Sequence, residues 1–472
     1  MARSTLFRWM VQSVGPQMML RRAAKNGELG ARLAIDRRLW ADPFPTYERM
    51  RSIGEMQHGG LVSSTTSHKI ASEVLRSPSF RVGIGSSERL SPMARRMMAM
   101  STDPDAVGPA EPPSMLAVDP PQHTKYRRLV SKVFTPRAMA AMEPRVAEIA
   151  TELLDEMERH DTVDLVDMYA GPLPVRVISE ILGVPDYMQD SMLEWGNAAA
   201  VTLDPALHYR QFRDAARALR RIHAWLDNHL KELRRNPGDD LLSRLAVLVD
   251  EGENLDDVEL RSTALLVIGA GFETTVNLIG NAVTQLLAHP DQLDALKADP
   301  AGWPNAVDEV LRYDSPVQVT VRVAGEDTNV CGHDIPVGRF VSIMLGGANR
   351  DPNVFEDPHR FDITRTNARD HLGFSAGIHF CLGASLARME GAVALRMLFE
   401  RFPDLALAGE PVRRELRVLR GYEHMPVSLR GRTGQSAALD GARKPNTMRT
   451  SSLHGSDGSG WTSPVSTNPS RS

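Results

Sequence analysis

Cysteine is nearly absent: the 472-residue chain holds two, Cys331 and Cys381. Two thiols cannot make a disulfide framework in a chain this long, and they point to a reducing, cytoplasmic compartment. An excess of either charge is also missing. Lys and Arg number 55 against 59 Asp and Glu, a net charge of −4, which argues against a dedicated nucleic-acid binder. No charge-free window reaches transmembrane length, and no clean apolar core with a small-residue cleavage site marks a secretory signal. There is no internal repeat. What is present is a globular composition, 42% hydrophobic and 24% charged, enough to bury a sizeable core.

The texture changes along the chain in three parts. Residues 1–40 form a basic leader in which Arg3, Arg8, Arg21 and Arg22 surround an apolar run of Leu6, Phe7, Met10, Val11 and Val14, interrupted by Arg8 and ended by Gly15-Pro16. This pattern suits a short amphipathic helix lying on the fold, or one making weak peripheral contact with an anionic membrane. Residues 41–431 carry the folded domain. Residues 432–472 are rich in Gly, Ser, Thr and Pro without apolar period, and read as a disordered polar tail.

Within the domain, Val146, Ile149, Leu153 and Met157 share one helical face. Residues 208–234 make a second helix, stopped at Asn236-Pro237-Gly238. Residues 260–287 are apolar nearly all round, as in a helix through the centre of a protein. Strand material is sparse and late, at Val317–Val323, 326–345 and Pro411–Leu429, so the fold class is mainly α with a small β portion. Residues 81–118 form a long connection carrying Met93, Met97, Met98, Met100 and Met115, partly helical at Pro92–Met100. They are a candidate substrate lid or a loose insertion.

The most specific segment runs His371-Leu-Gly-Phe374-Ser-Ala-Gly377-Ile-His379-Phe-Cys381-Leu-Gly383-Ala384. Glycines flank the thiol and permit a tight turn with close backbone approach to a bulky group. A helix is expected from Ala384 to Phe399, which places Cys381 near a helix N-terminus, where a thiolate is stabilised. Such a thiolate suits an axial ligand of a flat iron cofactor. The pattern Phe-x-x-Gly-x-His-x-Cys-x-Gly resembles the haem-binding signature of the cytochrome P450 superfamily, of the soluble actinobacterial type. Ser375 stands where that family often has Gly.

Further segments resemble the same family, over roughly Asp42 to Arg430. Glu309-Val-Leu-Arg312 looks like its Glu-x-x-Arg helix, and Arg360 in Phe355-Glu-Asp-Pro-His-Arg360-Phe looks like the third member of that buried network. Asp119-Pro-Pro-Gln-His123-Thr-Lys-Tyr-Arg127 is similar to its propionate-binding segment; the resemblance assigns His123, Arg127, Arg322 and His379 to the haem propionates. Ala270-Gly271-Phe-Glu273-Thr274 lies inside the apolar helix. Gly269-Ala-Gly271 starts like a dinucleotide loop, but Thr274 occupies the third glycine and no strand precedes it. The family reading makes Ala270 and Gly271 room for dioxygen, and Glu273 and Thr274 a proton relay.

The resemblance therefore implies a cytochrome P450 fold, a long central helix over haem b with a cysteine-ligand loop. Its implied activity is a monooxygenase that places one oxygen atom of O₂ into a hydrophobic small molecule. Cys381 is the implied iron ligand, with Phe374, Gly377 and Gly383 shaping its loop. Met97, Met98, Val317, Gln318 and Val319 are candidate substrate contacts. The chain contains no flavin or iron–sulfur segment, so electrons from NAD(P)H are expected through a ferredoxin and its reductase, with Lys125, Arg128 and Lys132 as a cationic docking face. A peroxide-driven enzyme or a haem sensor would have little use for the Glu273–Thr274 pair. Cys331 has no assigned role.

Overall fold

The apolar stretch at 260–287 folds as a 32-residue helix, Asp257–Ala288. Its start is fixed by a reciprocal cap: Asp256 accepts from the Glu259 N–H at 2.8 Å, and Glu259 accepts from the Asp256 N–H at 3.0 Å. It stops at His289, ahead of Pro290. The helix is apolar all round because helices surround it: Pro172–Leu182, Gln189–Ala200, Tyr209–Arg235, Trp303–Tyr313 and Ala384–Arg401. It is long and apolar enough to cross a membrane, yet 78% of that window is buried inside the protein. Gly196 lets the Gln189–Ala200 helix approach, since a Cβ there would sit 1.9 Å from the Phe272 ring.

The computed structural model describes residues 5–60, 62–82, 91–204, 207–250 and 255–431. The expected tail at 432–472 lies outside the described residues, as do 83–90 of the expected lid. The expected helices form at Glu143–Met157, Tyr209–Arg235 and Ala384–Arg401. On the first, Val146, Ile149, Leu153 and Met157 are buried together with Ala150 and Leu154.

The β portion is not only late. A five-stranded sheet runs in the order Met56–His58, Val62–Thr65, Phe340–Met344, Val319–Ala324, Phe80–Arg81. Val62–Thr65 pairs parallel with Phe340–Met344, and Val319–Ala324 pairs antiparallel with it. Thr162–Asp164 likewise pairs with Pro426–Ser428. The early strands escape notice in sequence because Ser63, Ser64 and Thr65 are buried without any apolar alternation. Thr65 meets its own polar need by donating to the Glu55 carbonyl at 2.7 Å.

The amino-terminal residues form a helix at Thr5–Trp9, a π turn at Met10–Val14 and a helix at Gly15–Lys25. They lie on the fold. Arg8 is buried and donates to Ser101 O, Ala106 O and Asp103 Oδ2, while Trp9 Nε1 donates to Leu207 O. The lid helix forms at Pro92–Met100. The segment after it is packed rather than loose: Ala106, Val107 and Met115 are buried, and His223 Nε2 lies 2.9 Å from Val107 O. The Val82 N–H donates to Asp119 Oδ1 at 3.0 Å, so the two ends of the lid segment meet.

Candidate active site

The cysteine loop is closed by its own backbone. The Cys381 N–H donates to Phe374 O at 2.9 Å. Gly377 has φ +69°, and a Cβ there would lie 2.3 Å from Leu75 O, so only glycine fits. Ser375 also adopts a left-handed φ of 61°, and its hydroxyl is buried without a partner; here the glycine common in the family would cost less. Phe374 is buried under the Arg388 guanidinium, 4.7 Å from its ring centroid. Burial pushes the Cys381 thiol up, while the Gly383 N–H, Arg127 and Arg388 pull it down. Gly383 caps the Ala384–Arg401 helix, and a Cβ on it would meet no atom within 4 Å.

Four basic groups converge near this loop. The His123 and His379 rings lie 4.2 Å apart. The Nε2 atoms of both are buried without a hydrogen-bond partner. Arg322 is 6% exposed and donates only locally, to Thr320 Oγ1 and Val321 O. Burial, then Arg322, His123 and Arg127, push His379 down to about 3. Burial pushes Arg322 down to about 10, with Asp119 opposing. Buried donors crowded with like charge want an anion. The cluster therefore fits the two propionates of a haem held by Cys381.

The central helix carries the next candidate residues. Ala270 is exposed and Thr274 half-exposed midway along an otherwise buried helix, and a Cβ on Gly269 would meet nothing within 4 Å. Thr274 Oγ1 donates back to Ala270 O at 3.0 Å, leaving its lone pairs free to accept. Gly271 does not belong to this opening. A Cβ on it would lie 2.8 Å from Ile178, so it serves packing against the Pro172–Leu182 helix. Glu273 is buried and paired with Arg414 Nη1 at 2.7 Å. Burial raises its carboxyl, and Arg414 opposes the rise.

Beneath the loop, Glu309 and Arg312 form a fully buried bidentate pair, with both contacts at 2.7 Å. The third side chain is Arg365, not Arg360. Arg365 Nε lies 3.3 Å from Glu309 Oε2, whereas the Arg360 side chain is 66% exposed beside Asp362 and offers the cluster only its carbonyl. Asp308, the neighbour of Glu309, builds a second cluster with Arg388 at 2.6 Å, Arg369 at 3.2 Å and His371 at 3.3 Å. Burial would raise Asp308, but His371 and Arg388 outweigh it and hold the carboxyl low.

Two of the substrate candidates lie elsewhere. Gln318 is buried, accepts from Tyr47 Oη and donates to Ser315 O; Val319 is buried in a small core with Leu33, Met50 and Met344. Val319 pairs with Met344 in the five-stranded sheet. Val317 and Thr320 remain half-buried, Met97 is exposed and Met98 is half-exposed. Sequence reasoning missed Arg365, Asp308, Arg414 and Glu390. The last is a buried acid on the cysteine helix, raised by burial with Thr275 opposing. Adjacency to Glu309 was a signal for Asp308; Arg414 sits 141 residues from its partner and gave none.

The chain matches the cytochrome P450 family over residues 105–299 and 304–415. It is 48% identical to cytochrome P450 140 of Mycobacterium tuberculosis over 409 residues, 86% of this chain and 93% of that one. It is 45% identical to 6-deoxyerythronolide B hydroxylase of Saccharopolyspora erythraea over 317 residues, 66% of this chain and 77% of that one. Among solved structures, ligand-free CYP164A2 of Mycobacterium smegmatis superposes with a TM-score of 0.76 at 36% identity, covering 85% of this chain and 99% of its own. These likenesses establish that the chain belongs to the cytochrome P450 family and is a haem monooxygenase.

Proposed function

We propose that the chain oxidises a hydrophobic small molecule in the cytoplasm, using electrons from NAD(P)H delivered by a separate ferredoxin and reductase. The observation that carries this reading is the pairing of two features: the buried, partnerless Nε2 atoms of His123 and His379 near Cys381, and a half-exposed Thr274 on an otherwise buried helix. Haem, when bound, supplies the activation of O₂. The other steps are those of the chain. Cys381 would hold the group, and His123, Arg127, Arg322 and His379 would donate to its carboxylates. Thr274 would take a proton from a donor behind it while releasing its own hydroxyl proton, now directed at Ala270 O, toward the pocket. Glu273, held by Arg414, is the acid behind it.

The half-exposed Met98 of the lid and the half-buried Val317 and Thr320 would give the substrate an adaptable, mostly apolar wall. Electron entry fits the opposite side. Ile378 and Phe380 are exposed beside Cys381, Arg128 is exposed on the Gln122–Ser131 helix that carries His123, and Lys132 is exposed at that helix's C-cap. Lys125 is partly withdrawn from this face by Glu259, 3.3 Å away.

The test is Thr274→Ala in the haem-loaded enzyme, supplied with ferredoxin, reductase and a substrate found by its spin-state shift. Haem content should be unchanged and electron consumption should continue. Product should fall by at least ~100-fold, the lower range for loss of a positioned proton donor, with hydrogen peroxide in its place. Full product yield would remove Thr274 from the relay.

A further inference from the structure

We propose that the amino-terminal helices and the lid helix together form a face that docks on an anionic lipid bilayer. One side of the amino-terminal segment is committed to the protein. Arg8 and Ser13 are buried, Trp9 is bonded to Leu207 O, and Gln12 Nε2 donates to Ser101 O at 3.3 Å. The other side presents large apolar groups to solvent: Leu6 and Met10 each 46% exposed, Met18 66% and Met19 53%.

The lid helix extends this face. Pro92–Met100 packs against the π turn Met10–Val14 and adds Met93, 74% exposed, and Met97, 38% exposed. The other exposed large apolar side chains, such as Ile53, Tyr187 and Val412, are scattered through the chain. Exposed apolar groups gathered on contiguous elements call for a partner.

Charge selects that partner. Residues 1–27 contain no Asp or Glu, and neither does Pro92–Met100. Arg21, Arg22 and Lys25 are exposed on the first segment, Arg95 and Arg96 on the second. The neighbouring Tyr209–Arg235 helix differs, since there Arg213 and Arg217 pair with Asp214 and Arg220 with Asp103. The whole chain is net negative, so this basic face also orients the molecule toward an anionic plane. Unbranched methionine and leucine on an amphipathic helix, flanked by Arg and Lys, suit a fluid headgroup boundary more than a shaped protein pocket.

Flotation of the full-length holoenzyme with vesicles tests this. Binding should be clear with mixed phosphatidylglycerol and phosphatidylcholine, weak with phosphatidylcholine alone, and should decline as salt is added. Arg21→Glu with Arg22→Glu should reduce partitioning at least about tenfold. Met18→Ser with Met19→Ser should reduce it as well at low salt, a loss that purely electrostatic adhesion would not produce. Arg95→Glu with Arg96→Glu repeats the charge test on the lid. An unchanged haem spectrum and thermal midpoint report intact folding in each variant. Absence of binding to the mixed vesicles would overturn the proposal, as would binding indifferent to all three variants. Loss of affinity for an acidic ferredoxin without any vesicle binding would reassign the face to a protein.

Discussion

The Arg312 guanidinium donates five hydrogen bonds, two to Glu309 and one each to the carbonyls of Asn349, Pro358 and Arg360. Every N–H it owns is used. Glu309 in turn accepts from Arg365 and from the Asp362 N–H. Removing one side chain from such a set leaves a buried charge short of partners, at a cost of about 3–5 kcal/mol. Arg365→Gln is expected to lower stability on that scale and to shed haem early on heating. Arg360→Gln should stay within about 0.5 kcal/mol, because its side chain stands in solvent. Thermal unfolding followed at the haem band distinguishes the two. The Glu309–Arg312 pair is legible from an i, i+3 spacing on a helix. Its third member is not, because the approach from Pro358 to Arg365 is irregular, with Asp357 at φ 43°, and no period assigns side-chain direction there.

Between elements, contact is set by what glycine omits. Gly196 faces the Phe272 ring, and Gly271 faces Ile178 on the next helix. Gly196→Ala would push into the ring of the residue before Glu273. The expected loss is about 1–3 kcal/mol, the usual range for overpacking, seen as a lower thermal midpoint. Helix limits were legible because local chemistry writes them: Pro237 follows Asn236, Pro290 follows His289, and Asp256 caps the central helix. The sheet was half legible. Val319–Ala324 shows itself by β-branched residues, but Val62–Thr65 acquires its meaning only from Phe340–Met344, far along the chain. Gly271 illustrates the same limit within a correctly expected helix. Composition suggested open space, and only the neighbouring helix reveals that the gap is filled.

At the scale of the whole molecule, the last residues of the described chain fasten the centre. Arg414 holds Glu273, while Arg413 and Arg420 hold Asp314 at 3.2 and 2.5 Å. Burial would raise Asp314, but Arg420 and Arg413 outweigh it and keep the carboxyl at about 2, below the 3.8 of a free aspartate. A depressed carboxyl stabilises the fold above its unfolded value, and the contribution is lost as pH falls through the folded one. Asp314→Asn should therefore be less stable at neutral pH. The gap from the parent should shrink by about 2 kcal/mol as pH drops from near 4 toward 2, read by denaturant titration at stepped pH. The bond between Val82 and Asp119 has a consequence for how such enzymes diversify. It pinches the lid off at its base, one step before the Pro120–Pro121 pair that leads into the helix carrying His123. Substitutions on the exposed face of Pro92–Met100 are insulated from that base, whereas replacing the whole segment would also cost the buried contacts of Ala106, Val107 and Met115, so exchange between relatives is confined to the outer helix.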